Sequence, residues 1–243
     1  MSCFSDESSC QSRGLSQSNV THHDPSVPLK LMVMASGSGT NLGAVMDACE
    51  SGRIHARVVV VVSDKPGAYA LTRARERGIP VVAVDPRFFP DRESHEAAIL
   101  ERVAPFKPQI AVLAGYMRLV TPFFLEKFRD PLTNLPGVIN IHPADTKTYQ
   151  GSRGYEFALG LGGKGRKRLA RTWITVHFVD EGMDTGPIIA QKPLDVRPDD
   201  TLGSLKARGL KVEHELYPMV IDLLAKGKVG LEQGSGEVFV QKE

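Results

Sequence analysis

The sequence predicts an α/β fold, a doubly wound and mostly parallel sheet with helices on both faces, preceded by a disordered N-terminal tail. Three observations carry this reading. Short and nearly continuous Val, Ile and Leu runs recur along the chain, as strands buried on both faces require. Stretches with apolar spacings of three to four residues lie between them, as crossover helices require. The 243 residues, 42% of them hydrophobic, exceed one average domain and fall short of two, so a single sizeable core is expected.

Residues 1–28 are rich in Ser, Gln, Asn and His and carry no apolar period, which reads as a tail without a secretory signal. Residues 29–243 then form one domain, with a first half over 29–130 and a second over 131–243. In the first half, strands fall at 31–35, 57–62, 81–84 and 110–113, with helices at 41–49, 68–77 and 92–106. That alternation gives parallel strands joined by right-handed crossovers. In the second half it loosens to a short helix at 122–128, a strand at 138–141, a Gly-rich basic stretch, and strands at 173–179 and 187–196. A long helix at 202–225 carries Leu205, Leu216, Val220 and Leu224 in a broad apolar stripe, which is core packing. The closing 229–240 reads as a small hairpin.

Composition excludes several classes. No apolar run approaches the roughly 18 to 20 residues of a membrane span. Thirty basic against 28 acidic side chains leave a formal charge of +2, too even for bulk attraction to nucleic acid, so any anion site must be local. Cys3, Cys10 and Cys49 are odd in number and form no C-x-x-C pair, which argues against a disulfide framework or structural zinc and for a reducing, cytoplasmic setting.

Directly after the first strand come Ser36-Gly37-Ser38-Gly39-Thr40-Asn41-Leu42, where a helix starts. Free N–H groups at a helix N-terminus, closely approached because glycine lacks a Cβ, make an anion site, and a phosphate is the natural guest. No Gly-Lys-Ser/Thr follows, so this is not a P-loop, and Leu42 stands where a dinucleotide fingerprint has its third glycine. A tight turn capped by Ser38 or Thr40 accounts for the same residues. Farther on, Asn140 and His142 share one face of a strand end, two residues or ~6 to 7 Å apart. The acidic turn at 177–187 follows another strand, and its Asp and Gly residues also suit an ordinary hairpin loop.

The glycine loop, Leu113-Ala114-Gly115-Tyr116-Met117-Arg118, Asn140-Ile141-His142-Pro143, and the run from Val176 through Asp184 to Pro187 together resemble the phosphoribosylglycinamide formyltransferases. These are folate-dependent formyltransferases of purine biosynthesis, and the likeness spans nearly everything from Leu31 to Leu224. It implies a formyltransferase-like variant of the Rossmann fold that moves a formyl group from the co-substrate 10-formyltetrahydrofolate to the amine of phosphoribosylglycinamide without a metal. It further implies a cytoplasmic monomer or homodimer with small-molecule substrates, and neither nucleic acid nor membrane as partner. By resemblance His142 shuttles protons, Asn140 hydrogen-bonds the formyl oxygen, and Asp184 raises the His142 pKa and orders a relaying water. Gly39, Thr40 and Asn41 hold the substrate phosphate, with Glu213 on the glycinamide or ribose side. Arg92, Met117, Arg118, Leu119, Val120, Asp180, Glu181, Gly182 and Met183 line the folate pocket.

The chain departs from that family after Pro143, where Ala144-Asp145-Thr146-Lys147 replaces Ser-Leu-Leu-Pro in a loop expected to border the cleft. Arg153 stands where a substrate-side His is common, and Lys164, Arg166, Lys167 and Arg168 form a basic addition, either a solvated loop or an attractor of polyanionic ligands. Three alternatives remain at this level: formyl transfer to another amine, a formyltetrahydrofolate deformylase, and, from a different class, an NAD- or nucleotide-binding protein with Asp64 as its ribose acid.

Overall fold

The computed structural model describes residues 19–20, 24, 26–161, 163, 165–232 and 234–241. Most of the expected tail, including Cys3 and Cys10, lies outside the described residues. Within that stretch, Asn19–Val20 form a short strand, β1. The domain then runs β2 (Leu29–Met34), α1 (Thr40–Glu50), β3 (Ala56–Ser63), α2 (Tyr69–Arg75), β4 (Val81–Ala83), α3 (Arg92–Val103), β5 (Ile110–Leu113), α4 (Pro122–Lys127), β6 (Val138–His142), α5 (Gly154–Ala158), β7 (Arg171–Phe178), β8 (Ile188–Asp195), α6 (Leu202–Ala225), β9 (Val229–Leu231) and β10 (Val238–Val240).

The main sheet has the order β4-β3-β2-β5-β6-β7-β8. Pairing is parallel from β4 to β6, and β7 and β8 close the far edge antiparallel, so the sheet is mostly parallel, as the sequence predicts. Pro193, which cannot donate to a ladder, sits in the edge strand β8. A smaller sheet places β9 between β1 and β10, so the closing hairpin gains a third strand from near the N-terminus.

The two-residue period of β2 explains the two layers. Leu31 and Val33 enter one core with Leu42, Tyr217 and Ile221, while Met32 and Met34 enter the other with Ile99, Val103 and Phe124. Burial on both faces is why these strands read as unbroken apolar runs. Strand order reverses beside β2, whose neighbours β3 and β5 lie on opposite sides, and that switch point opens a crevice at the carboxyl ends of β2 and β5. The fully buried Tyr217 donates its hydroxyl to the carbonyls of Leu113 (3.0 Å) and Ile139 (3.1 Å), tying α6 beneath the strand ends that carry the site. Among the described residues no helix is long and apolar enough to cross a membrane.

Candidate active site

Register assembles the site. Asn140 of β6 lies directly opposite His177 of β7, and His142 follows two residues later on the same face. Asp184 reaches them from the turn after β7, where it holds a left-handed φ of 54° that non-glycine residues seldom adopt. That turn is built for it: Asp180 accepts from the Gly182 N–H (3.1 Å) and the Thr185 hydroxyl (2.6 Å). At Gly186 a Cβ would run into the Phe178 carbonyl, so only glycine lets the turn close on the strand.

Asp184 is the hub. Its Oδ1 accepts from Asn140 Nδ2 (3.2 Å), and its Oδ2 accepts from the Gly151 N–H (2.9 Å) and lies 3.4 Å from His142 Nδ1. Burial alone would raise this carboxyl, but His177, His142 and the Gly151 N–H outweigh it and hold the group at about 2. It is a carboxylate throughout the physiological range. The His142 pKa is lowered from 6.5, chiefly by burial and also by nearby His177, while Asp184, the Tyr149 carbonyl and Glu213 pull the other way. The expected lift from Asp184 is therefore present but smaller than the desolvation it opposes. A neutral ring with its proton toward Asp184 leaves Nε2 as a base, and Nε2 is buried without a partner.

Sequence reasoning missed His177. Its Nδ1 lies 2.7 Å from the Phe178 carbonyl, and its Nε2 lies 3.3 Å from Asn140 Nδ2 and 3.5 Å from Asp184 Oδ1. His177 thereby orients the amide that Asp184 holds from the other side. His177 stands in the run from Val176 to Pro187 that carries the resemblance, but its place opposite Asn140 is visible only once β6 and β7 are paired.

These side chains line a cleft of about 360 Å³ together with Met117, Arg118, Leu119, Val120, Asp180, Gly182 and Met183. Glu96, buried in α3, accepts from the Thr121 N–H (2.9 Å) and also takes the Thr121 hydroxyl, which anchors the 117–120 wall. Burial raises its pKa against those bonds. Met117 N–H donates to Ser36 Oγ (2.9 Å), linking the wall to the glycine loop. Arg92 and Glu181 are exposed and lie outside the cleft lining. Arg92 stands in the first turn of α3 within electrostatic reach of Glu96.

In the glycine loop, Gly39 is the N-cap of α1 with φ 68°, and no side chain caps the helix, so neither Ser38 nor Thr40 uses up its first N–H groups. A Cβ on Gly39 would stand 2.8 Å from Ala70 Cβ, so this glycine also permits α2 to pack. Asn41 Nδ2 donates to Glu213 Oε2 (2.6 Å), Tyr155 donates to Glu213 Oε1 (2.5 Å), and Asn41 Oδ1 is buried without a partner. Glu213 is only 5% exposed, so both oxygens of a buried carboxylate are satisfied by α1 and α5. Gly209, one turn earlier on α6, makes room for the Tyr155 ring, which a Cβ would strike.

The rebuilt loop borders the cleft at its two ends, where Pro143 and Gly151 line it, but its middle points elsewhere. Asp145 accepts from the Lys147 N–H (3.1 Å) and from Gln191 Nε2 (3.3 Å) on β8, Ala144 and Thr146 are buried, and none of 144–150 lines the cleft. Of the described bases in the addition, Arg168 is spent on the carbonyls of Arg197 (2.8 Å) and Asp200 (3.0 Å), and Arg166 lies over the Phe157 ring.

An imidazole paired with a carboxylate, a fixed side-chain amide and an uncapped helix start at the switch point of an α/β sheet together define a group-transfer enzyme that runs on proton movement. The comparisons make the class specific. Residues 29–221 match the family model described as formyl transferase, and the chain belongs to that family. It is 34% identical over 203 residues to the phosphoribosylglycinamide formyltransferase of Haemophilus influenzae, covering 84% of this chain and 90% of that one. Against the enzyme of that name from Bacillus subtilis it is 36% identical over 197 residues, 80% and 94% of the two chains. The crystal structure of glycinamide ribonucleotide transformylase 1 from Symbiobacterium toebii superposes with a TM-score of 0.79 at 38% identity, over 88% of this chain and 95% of that one.

Proposed function

We propose that this chain transfers the formyl group of 10-formyltetrahydrofolate to the primary amine of 5-phosphoribosylglycinamide, a reaction of purine biosynthesis, and does so in the cytoplasm. The observation that carries this reading is the position of the His142, Asp184 and Asn140 cluster, which stands at the end of β6 with the 117–120 wall on one side and Glu213 within electrostatic reach.

The amine nitrogen attacks the formyl carbon, and its N–H proton passes to His142 Nε2, the one ring nitrogen with no protein partner. The carbonyl oxygen takes up negative charge as the tetrahedral adduct forms. Asn140 supplies a donor for it, because its two N–H bonds, at 3.2 and 3.3 Å, are long and cheap to redirect. The proton then returns from His142 to the departing N10 of the folate, the C–N10 bond breaks, and Asp184 stabilises the imidazolium in between. No net proton is gained by the enzyme.

On the donor side, Met117, Leu119, Val120 and Met183 offer apolar walls to the pterin, and Arg118 and Arg92 offer cations to the folate glutamate. On the acceptor side, the first N–H groups of α1 hold the phosphate, and the unpartnered Asn41 Oδ1 accepts from a sugar hydroxyl or amide N–H.

The test is a spectrophotometric formyl-transfer assay with candidate amines. Wild type should turn over glycinamide ribonucleotide best, and a folded His142→Ala variant should lose about 10² to 10⁴ in kcat. Formate release without any amine at the same rate would instead identify a deformylase.

A further inference from the structure

The catalytic imidazole is held by Asp184 and by the backbone carbonyl of Tyr149. His142 Nδ1 faces Asp184 Oδ2 at 3.4 Å, a long contact, and Nε2 has no partner, so the plane of the ring depends on where Tyr149, whose carbonyl also acts on it, is held. The Tyr149 ring runs nearly parallel to His142, with centroids 6.3 Å apart and an interplanar angle of 17°. Phe157 stacks on Tyr149 at 4.3 Å and 26°. The Arg166 guanidinium covers Phe157, 4.7 Å from its centroid.

We infer that Phe157 and Arg166 are positioning residues for the formyl transfer, acting through Tyr149 as a planar stack that orients the His142 ring. This rests on the function proposed above. It also gives the basic addition a role other than attracting ligands, since Arg166 points at a ring and Arg168 at carbonyls.

The backbone around the stack is built to seat it. Tyr149 is placed by its N–H bond to the Asp145 carbonyl (2.9 Å), in the loop whose side chains otherwise turn away from the cleft. Phe157 is fixed on the five-residue helix α5. The addition folds back over α5 because Gly160 takes φ 74°, where a Cβ would stand 2.9 Å from Arg168 N and 3.0 Å from the Arg166 carbonyl. The Leu169 N–H then returns to the Ala158 carbonyl (2.9 Å), closing the segment with Arg166 above Phe157. Arg suits the end of such a stack better than Lys, because its cation is planar.

A positioning role has a particular kinetic form. Neither residue lines the cleft, so removing one should leave both KM values alone and lower kcat, with a matching change at the His142 ring. The experiment uses the full chain and the variants Phe157→Ala, Phe157→Tyr, Arg166→Gln and Arg166→Lys. It records kcat, KM for each substrate, thermal midpoint, and the imidazole resonances of His142 in the substrate-free protein. Phe157→Ala should lower kcat about tenfold and Arg166→Gln about two- to fivefold, as expected for one stacking and one exposed cation–π contact. KM values should stay within about twofold, the His142 resonances should move, and Phe157→Tyr should retain kcat. Arg166→Lys should fall between Gln and wild type.

Folded variants with wild-type kcat and unmoved His142 resonances would overturn the inference, as would a raised KM at unchanged kcat, which would make the segment a rim of the binding site. Should Phe157→Ala fail to fold, exposed Arg166 decides the matter by itself. If wild type does not formylate glycinamide ribonucleotide, the proposed function fails. The resonance comparison between wild type and the Arg166 variants still tests the stack.

Discussion

At the residue level, burial and the Asp184 charge pull the His142 pKa in opposite senses, and the balance fixes the acid limb of the rate profile. Burial keeps the ring neutral below 6.5, while Asp184 moderates that effect. Replacing Asp184 with Asn removes the moderating charge, so the His142 pKa should fall further, the acid limb should move to lower pH, and kcat should drop about 10²-fold or more for want of imidazolium stabilisation. An NMR titration of His142 that did not move in Asp184→Asn would sink this electrostatic role. Tyr155 makes the complementary case on the amine side. Tyr155→Phe leaves one oxygen of buried Glu213 without its donor, and a buried bond to a charge is worth about 1.5 to 3 kcal/mol, so stability should fall by about that much and the KM for the amine should rise while the folate KM stays put. Equal rises in both would deny Glu213 a side. His142 and Asn140 were legible from strand parity and resemblance. His177 and Tyr155 were not, because their roles depend on a cross-strand register and on a contact spanning 58 residues.

At the level of elements, the glycine loop joins a helix start to a close packing contact, and a mutation there confuses the two. Gly39→Ala places a side chain at φ 68° against Ala70, so a loss of about 1 to 3 kcal/mol in stability is expected whether or not phosphate binds. Anion competition on the intact protein separates the two effects. Sulfate should raise the apparent KM for the amine and leave that for folate nearly unchanged, and inhibition competitive with folate would remove the phosphate from the α1 start. The 144–150 loop carries the opposite expectation. Asp145 bonds to Lys147 and Gln191 and faces away from the cleft, so Asp145→Leu should change kcat/KM by less than about tenfold, and a larger change in steady-state assays would return the loop to the site. The parallel strands were readable because each is buried on both faces and therefore continuous in Val, Ile and Leu. Helix α5 was not, since Gly154 to Ala158 spans only five residues and sits where glycine and basic side chains dominate the composition. Strand β1 is two residues long and pairs with β9 from the other end of the chain, which no local pattern encodes.

For the molecule as a whole, the same His142 and Asp184 pair should appear in the stability of the fold, in two separate pH windows. The folded pKa of His142 lies below its ordinary 6.5, so as pH falls through 6.5 the unfolded chain takes up the proton first and stability declines until the folded value is reached. Asp184 works lower down: its folded pKa of about 2 against 3.8 contributes about 2 kcal/mol that is present above pH 3.8 and lost as pH falls toward 2. The groups that set these values come from three elements and a turn, namely β6, β7, α6 through Glu213, and the Gly151 N–H, so the readout is global rather than local. Urea unfolding between pH 2 and 8 should therefore give different curves for two variants. Asp184→Asn should deepen the decline below 6.5, because the ring loses its nearest counter-charge, and should make the decline below 3.8 shallower by the Asp184 share. His142→Asn should abolish the upper decline and shrink the lower one, because a protonated His142 is among the charges that hold Asp184 down. Differences from wild type cancel the contributions of the other carboxylates. If the Asp184→Asn curve instead runs parallel to wild type across the whole range, the two groups are not coupled in solution, and the proton relay built on their 3.4 Å contact loses its electrostatic basis.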